Sequence, residues 1–451
     1  DRKNTVLSVM EENGKITKEQ EQAESQTDIS AYLHDTYDNS DSGYRYPYYF
    51  DAVIDEAVNE YGLDEEDVMN KGYKIYTALD QDYQKQLEAT YQNNALFPAN
   101  ASDGAMAQSA SVALDPNTGG VQALVGRRGD HVFRGFSFAT QMLRSPGSTI
   151  KPLSVYTPAL EAGYKPSSVL KDEPQSYYDA HNFDGTYQGE VPMYQAVAQS
   201  LNLPAVWLLH EIGLQKGYDK AEEFGLPLAK SDKYYGLALG GLEKGVSPMI
   251  MAGAYSAFAN EGQMYTPHLI TKIVDSTGAV IIDNTNKKPK QVISKETADE
   301  MTSMLLGTFS NGTAAAANPA GYTIAGKTGT TETNFDATKA NDQWMIGYTP
   351  DVVISTWMGY EESSKLHYLE GTSGNVVGKV FKSAAEGILP YTSKTGFSVA
   401  DAYATGGQVV AADQVGNTGN SNGESGNWQD NLNQYGEQAK EGLKNFGDMV
   451  K

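Results

Sequence analysis

The stretch Gly321-Tyr322-Thr323-Ile324-Ala325-Gly326-Lys327-Thr328 satisfies the phosphate-loop pattern G-x-x-x-x-G-K-[ST] letter for letter. A phosphate loop needs a strand, a flexible glycine-rich turn whose amides wrap phosphate, and a helix opening at Lys-Thr. Here Tyr322, Thr323 and Ile324 favour a strand. Beyond Thr330 the run TETNFDATKANDQ (331–343) is polar and lacks helical periodicity. No acidic magnesium partner follows a downstream apolar strand. The stretch reads as a strand, and no nucleotide partner is expected.

On that reading Lys327-Thr328-Gly329-Thr330 lies along a strand edge, and the chain upstream supplies complementary chemistry. In RSPGSTIKP (144–152), Ser148 follows Pro-Gly and precedes Lys151 by three residues. One helical turn puts hydroxyl and amine on a shared face. A serine becomes a useful nucleophile when an adjacent base takes its proton. A lysine serves as that base when burial or a neighbouring cation favours its neutral form. In AVAQSLNLPAV (196–206), Ser200 and Asn202 add a hydroxyl and an amide suited to proton relay.

Each pattern recurs. Ser168–Lys171 repeats Ser-x-x-Lys, Ser373–Asn375 and Ser425–Asn427 repeat Ser-x-Asn, and Lys394–Gly396 repeats Lys-Thr-Gly. Order and context separate the copies. Ser148, Ser200 and Lys327 come in sequence at a helix start, a helix-to-helix turn and a strand pair. The other copies read as solvated turns.

The 451 residues carry a net charge of −23 and no cysteine. Disulfides, zinc-thiolate sites and a cysteine nucleophile are thereby excluded. The acidity sits in the flanks, with −13 over residues 1–70, −4 over 396–451 and −6 between. A nucleic-acid partner would want a clustered basic face, so none is expected. No apolar run reaches the 18 or so residues of a membrane span, and the N-terminus does not resemble a signal peptide. Any membrane contact is expected through segments absent here. The histidines show no ligand spacing and read as structural or surface residues, so neither metal nor cofactor is expected.

The spacing predicts helices within 1–31, broken at Asn13-Gly14, and over 51–62 and 81–97, with a strand at 73–79. Residues 36–50 form a tyrosine-rich connector. Strands SASVALD (109–115) and GVQALVG (120–126) flank a Pro116–Gly119 turn. Helices follow near 148–162, 192–213, 247–260 and 295–307, with a hairpin over 269–283. Three strands and a closing helix (373–389) complete an α+β pattern whose sheet joins the segment's two ends. The Gly/Asn/Ser-rich run past Pro390 reads as a tail, with a marginal helix over 430–447.

Ser-x-x-Lys, Ser-Asp-Asn and Lys-Thr-Gly together form the signature shared by class A β-lactamases and penicillin-binding proteins, and here the middle motif is Ser200-Leu201-Asn202. With SVALDPNTGGVQALVG, GVSPMIMAGAYSAFANEG and QWMIGYTPD in order, the chain resembles class A penicillin-binding proteins of Gram-positive type over about residues 5–390. The resemblance implies a penicillin-binding-protein/serine β-lactamase-like transpeptidase domain (106–390), a central antiparallel sheet plus a helical subdomain. It implies an αβ linker module (36–105), the end of a glycosyltransferase domain (1–35) and a C-terminal tail or small region (391–451). The glycosyltransferase's own glutamate-bearing motifs are not found, so that activity is not expected. The implied location is the extracytoplasmic membrane face, with an anchor outside this chain.

The resemblance also implies roles. Ser148 attacks the penultimate D-Ala carbonyl of a peptidoglycan stem peptide, with Lys151 as base. Ser200 and Lys327 pass a proton to the leaving amine, and Asn202 binds the substrate amide. Thr328, Gly329 and Thr330 form the carboxylate-binding strand, and the amides of Ser148 and Thr330 form the oxyanion hole. An amine acceptor takes the acyl group, and β-lactam antibiotics stall on Ser148. A D,D-carboxypeptidase, a β-lactamase or a non-catalytic β-lactam sensor would share the three motifs. Release of D-Ala with and without an amine acceptor separates these readings.

Overall fold

The computed structural model describes residues 2–28 and 45–415. The chain divides into two compact units, Asp1–Arg45 and Tyr46–Lys451. In the first, helices Arg2–Glu12 and Lys18–Ser25 flank the break expected at Asn13-Gly14. Thr17 and Gln20 form a reciprocal capping box on the second helix. Lys3 Nζ donates to the carbonyls of Glu24, Ser25 and Thr27 at 2.7, 3.1 and 2.6 Å, placing a cation at that helix's negative end.

The second unit is built on a five-stranded antiparallel sheet. Its order is Ala325–Glu332, Ala340–Tyr348, Val353–Gly359, Gln108–Leu114, Val121–Val125. The pairing of Gln108–Leu114 with Val353–Gly359 closes the domain's early and late strands into one sheet. Period-two alternation sends successive side chains to opposite layers. Val112, Leu114, Trp344, Ile346 and Trp357 join one core, against helices Pro248–Ala259 and Lys295–Ser310. Ala113, Met345, Ile354 and Met358 join the other, against helices Val377–Ile388 and Gln81–Gln92. Both faces are covered, so the central strands are buried on both sides, and the polar Ser111 and Asp342 among them are hydrogen-bonded.

The sequence and the structure differ at several points. Tyr322–Ile324 are not strand; the edge strand starts at Ala325. Its last rung is Ala325 opposite Tyr348, after which the partner turns away at Thr349–Val352. Intrinsic preference cannot extend a strand beyond its partner. The helix over 148–162 is split into a tight turn at Gly147–Ile150, a wide turn at Pro152–Tyr156 and one α-turn at Thr157–Glu161. Pro152 and Pro158 lack the amide that a regular helix would use. Residues 47–50 of the expected connector begin helix Pro47–Asn59, while 36–44 lie outside the described residues.

Strand Lys74–Thr77 pairs with Ile270–Val274 of the expected hairpin, whose other arm is Val280–Asp283. Beyond Pro390, residues up to 415 continue on the second unit, with Val399 and Ala402 buried. The helix expected over 430–447 lies outside the described residues.

Candidate active site

A cleft of about 730 Å³ opens beside the edge strand Ala325–Glu332. Ser148 lines it from the tight turn Gly147–Ile150. That turn lies almost in contact with the strand. Gly147 has φ +52°, and a side chain there would meet Thr330 O at 2.6 Å. A side chain at Gly329 would meet Pro146 O at the same distance. Glycine at both positions is a condition of the close approach. Trp344 Nε1 donates to Ser145 O at 2.9 Å and Ser145 Oγ to Gly240 O at 2.7 Å, tying the approach to Ser148 to the sheet and a neighbouring loop.

Lys151 is fully buried one turn after Ser148. Its Nζ donates to Ser200 O at 2.7 Å, Leu201 O at 2.9 Å and Asn202 Oδ1 at 2.7 Å. The amine thus spends its hydrogen bonds on the Ser200–Asn202 segment, not on Ser148 Oγ as the shared helical face predicts. The three acceptors favour an ammonium. Burial, and then the nearby charge of Lys327, hold the amine well below the ordinary lysine range.

Ser200 sits between helices Met193–Gln199 and Asn202–Ile212 with φ 57° and ψ 36°. Its N–H bonds Val197 O at 3.1 Å and that of Leu201 bonds Ala196 O at 3.0 Å. This is the helix stop that glycine usually makes, here carried by a serine. Its Oγ receives a hydrogen bond from Lys327 Nζ at 2.6 Å. Lys327 is fully buried, and burial lowers its amine to about 7. Its side chain leaves the strand opposite Thr328 and Thr330, both of which face the cleft. Because Lys-Thr opens no helix, the phosphate-loop geometry is absent at this stretch.

Asn202 donates from Nδ2 to His181 O at 2.9 Å, which turns its Oδ1 toward Lys151. The buried Asn182 Oδ1 accepts from the Asn202 and Leu203 amides at 2.8 and 3.3 Å, covering the helix start. Asn182 Nδ2 is held in turn by the buried Asp172 at 2.7 Å. The expectation that the histidines are structural or surface residues left out this wall, where His181 and Asn182 line the cleft. Also missed was Ser373, read from sequence as a solvated turn. It is 3% exposed, lines the cleft and lies 2.6 Å from Thr330 Oγ1. The one available signal was its flanking pattern Gly371-Thr372-Ser373-Gly374, a tight turn of small residues. The other copies lie elsewhere: Ser168 and Lys171 at the strand Val169–Asp172, Lys394 exposed beyond the last long helix. Ser425–Asn427 lie outside the described residues.

The arrangement gives a hydroxyl nucleophile, two buried amines of lowered basicity, a bridging hydroxyl and a hydroxyl-lined strand. Residues 109–386 match the family model described as penicillin binding protein transpeptidase domain. Penicillin-binding protein 2a of Streptococcus pneumoniae is 49% identical over 417 residues, 91% of this chain and 56% of that protein. Penicillin-binding protein 1F of Bacillus subtilis is 38% identical over 402 residues, 88% of this chain and 53% of that protein. The chain thus spans little more than half the length of these relatives. The solved structure of the PonA1 protein from Mycobacterium tuberculosis in complex with penicillin V superposes with a TM-score of 0.66 at 26% identity, covering 79% of this chain and 96% of that one. The chain belongs to the penicillin-binding protein transpeptidase family.

Proposed function

We propose that this chain carries the acyl-transfer centre of a peptidoglycan D,D-transpeptidase acting through a serine ester. The observation that supports it most is the convergence on one cleft of Ser148, the Lys151 amine held by Ser200–Asn202, and Lys327 Nζ 2.6 Å from Ser200 Oγ. In its neutral form Lys151 releases one hydrogen bond and takes the Ser148 proton as Oγ attacks the penultimate D-Ala carbonyl. The amides of Ser148 and Thr330 receive the developing oxyanion, a contribution worth about 10²–10³ in rate per donor. Collapse breaks the C–N bond. Ser200 Oγ passes its proton to the leaving D-Ala amine and regains one from Lys327. Thr328 and Thr330 hold the terminal carboxylate, and an amine acceptor then takes the acyl group from Ser148. A β-lactam undergoes the same attack, but its amine leaving group stays tethered, so the ester persists.

In this reading residues 106–390 are the transpeptidase domain, 36–105 its linker and 1–35 the end of a preceding glycosyltransferase domain. The protein then works at the extracytoplasmic membrane face, held by a segment outside this chain. No described helix is long and apolar enough to cross a membrane.

Intact-mass spectrometry after incubation with benzylpenicillin tests the centre. One covalent equivalent is expected, mapping to Ser148 and lost in Ser148→Ala with the melting temperature retained. An adduct on another serine, or none, refutes the assignment. D-Ala release that requires an amine acceptor supports transpeptidation; release independent of it points to a carboxypeptidase.

A further inference from the structure

Among the hydroxyls that line the cleft are Thr328 and Thr330 of the edge strand and Thr313 and Ser373 of two distant turns. Thr328 Oγ1 lies 2.6 Å from Thr313 Oγ1, and Thr330 Oγ1 lies 2.6 Å from Ser373 Oγ. Thr313 follows helix Lys295–Ser310 and is anchored by its N–H on Ala198 O at 3.1 Å. Ser373 precedes helix Val377–Ile388. The two turns touch, since a side chain at Gly374 would meet Thr313 O at 2.3 Å. Thr313 and Ser373 therefore form a continuous rim against the strand.

The proton order at Ser373 follows from its partners. Its Oγ donates to Gly329 O at 2.6 Å. A hydroxyl has one proton, so Thr330 must be the donor between Thr330 and Ser373. In this arrangement the hydrogen-bond chain runs from Thr330 to Ser373 to the strand's own carbonyl, and the Thr330 proton is directed at Ser373.

We propose that Ser373 and Thr313 are positioning residues for a carboxylate-terminated acyl donor, acting through Thr330 and Thr328. The proposal rests on the reading of those threonines as carboxylate ligands. When Thr330 turns its proton to the carboxylate, two oxygens 2.6 Å apart still need a proton between them. Ser373 supplies it by rotating its own from Gly329 O to Thr330 Oγ1. The hydroxyl chain reverses direction, hydrogen bonds alone change, and Thr330 is held as a donor aimed into the cleft.

The test is stopped-flow acylation by benzylpenicillin, separated into the encounter constant and the limiting acylation rate, in a double-mutant cycle of Ser373→Ala and Thr330→Val. Ser373→Ala should weaken the encounter constant about fivefold, the equivalent of one hydrogen bond, with the limiting rate unchanged. The double variant should equal Thr330→Val within about twofold, since Ser373 acts through Thr330. Ser373→Thr should recover most of the loss. With benzylpenicillin methyl ester the parent and Ser373→Ala should react alike. Multiplicative losses, a fall in the limiting rate alone, or a defect that persists with the ester would overturn the proposal. Failure of the underlying reading shows separately, as a parent that forms no adduct. If Ser373→Ala does not fold, Thr313→Val with Thr328→Val poses the same question on the other half of the rim.

Discussion

Lys327 and Lys394 head the same tripeptide and meet opposite fates. Lys327 is sealed under the cleft with its amine on Ser200, whereas Lys394 is exposed. Lys327→Met should slow β-lactam acylation by at least about tenfold, roughly 1.4 kcal/mol of barrier, and Lys394→Met should stay within about twofold. Equal losses would refute the distinction. The same variant reports on stability. Burial lowers the Lys327 amine from 10.5 to about 7. Between those values the unfolded chain binds a proton that the folded chain does not, so the penalty for burying the amine shrinks as pH rises through that window. Below about pH 7 the penalty is complete. Lys327→Met should therefore raise the melting temperature by a few degrees at pH 6 and by less at pH 9. A gain that grows with pH would contradict the sign. At this scale the grouping of Ser148, Lys151, Ser200, Asn202 and Lys327 was legible, because they lie in short patterns that follow one another in a recognisable order. Ser373 and Asn182 were not. Their partners are Thr330, 43 positions away, and Asn202, 20 positions away, and no local pattern announces such contacts.

Elements set the geometry those residues need. Ser200 occupies a left-handed position at a helix stop, where a side chain costs roughly 1–2 kcal/mol relative to glycine. The serine's hydroxyl accepts from Lys327 there, so the strain lies at the point where the proposed relay places its bridging hydroxyl. Ser200→Gly should leave the melting temperature equal or raised, because relief of strain offsets the lost hydrogen bond. Acylation should fall by at least about tenfold in the same variant. A destabilised variant with near-parent acylation would remove the strain argument. The helix-to-helix turn was legible from Ser-Leu-Asn-Leu-Pro, but its left-handed residue was not, since serine has no intrinsic preference for that region. Tyr322–Ile324 shows the converse. Three strand formers stay outside the strand because the partner has already turned away at Thr349.

At the scale of the whole molecule, residues 36–105 read from sequence as a linker, yet the described part from Tyr46 onward belongs to the second unit and is bonded to its sheet and helices. Strand Lys74–Thr77 pairs with Ile270–Val274. Glu56 accepts from the Leu269 and Ile270 amides at 2.6 and 3.1 Å. Gln84, fully buried, brackets Leu124 of the sheet's far edge by donating to its carbonyl at 2.9 Å and accepting from its amide at 2.7 Å. Leu87 and Tyr91 of the same helix lie in the core shared with Val377–Ile388. Removing this segment would expose that apolar layer and leave the Leu124 backbone groups without their side-chain partner, a combination of the kind that unfolds marginal domains. By contrast, the first unit, Asp1–Arg45, is compact in itself. A chain starting at Tyr46 should therefore be soluble, melt within a few degrees of the parent and acylate with benzylpenicillin at the parent rate. A chain starting at Ala105 should aggregate or lose its cooperative transition, even though every motif residue is still present. Circular dichroism melting and adduct formation on the two truncations decide the matter. A stable, fully acylating chain from Ala105 would show that the linker's bonds into the sheet are dispensable.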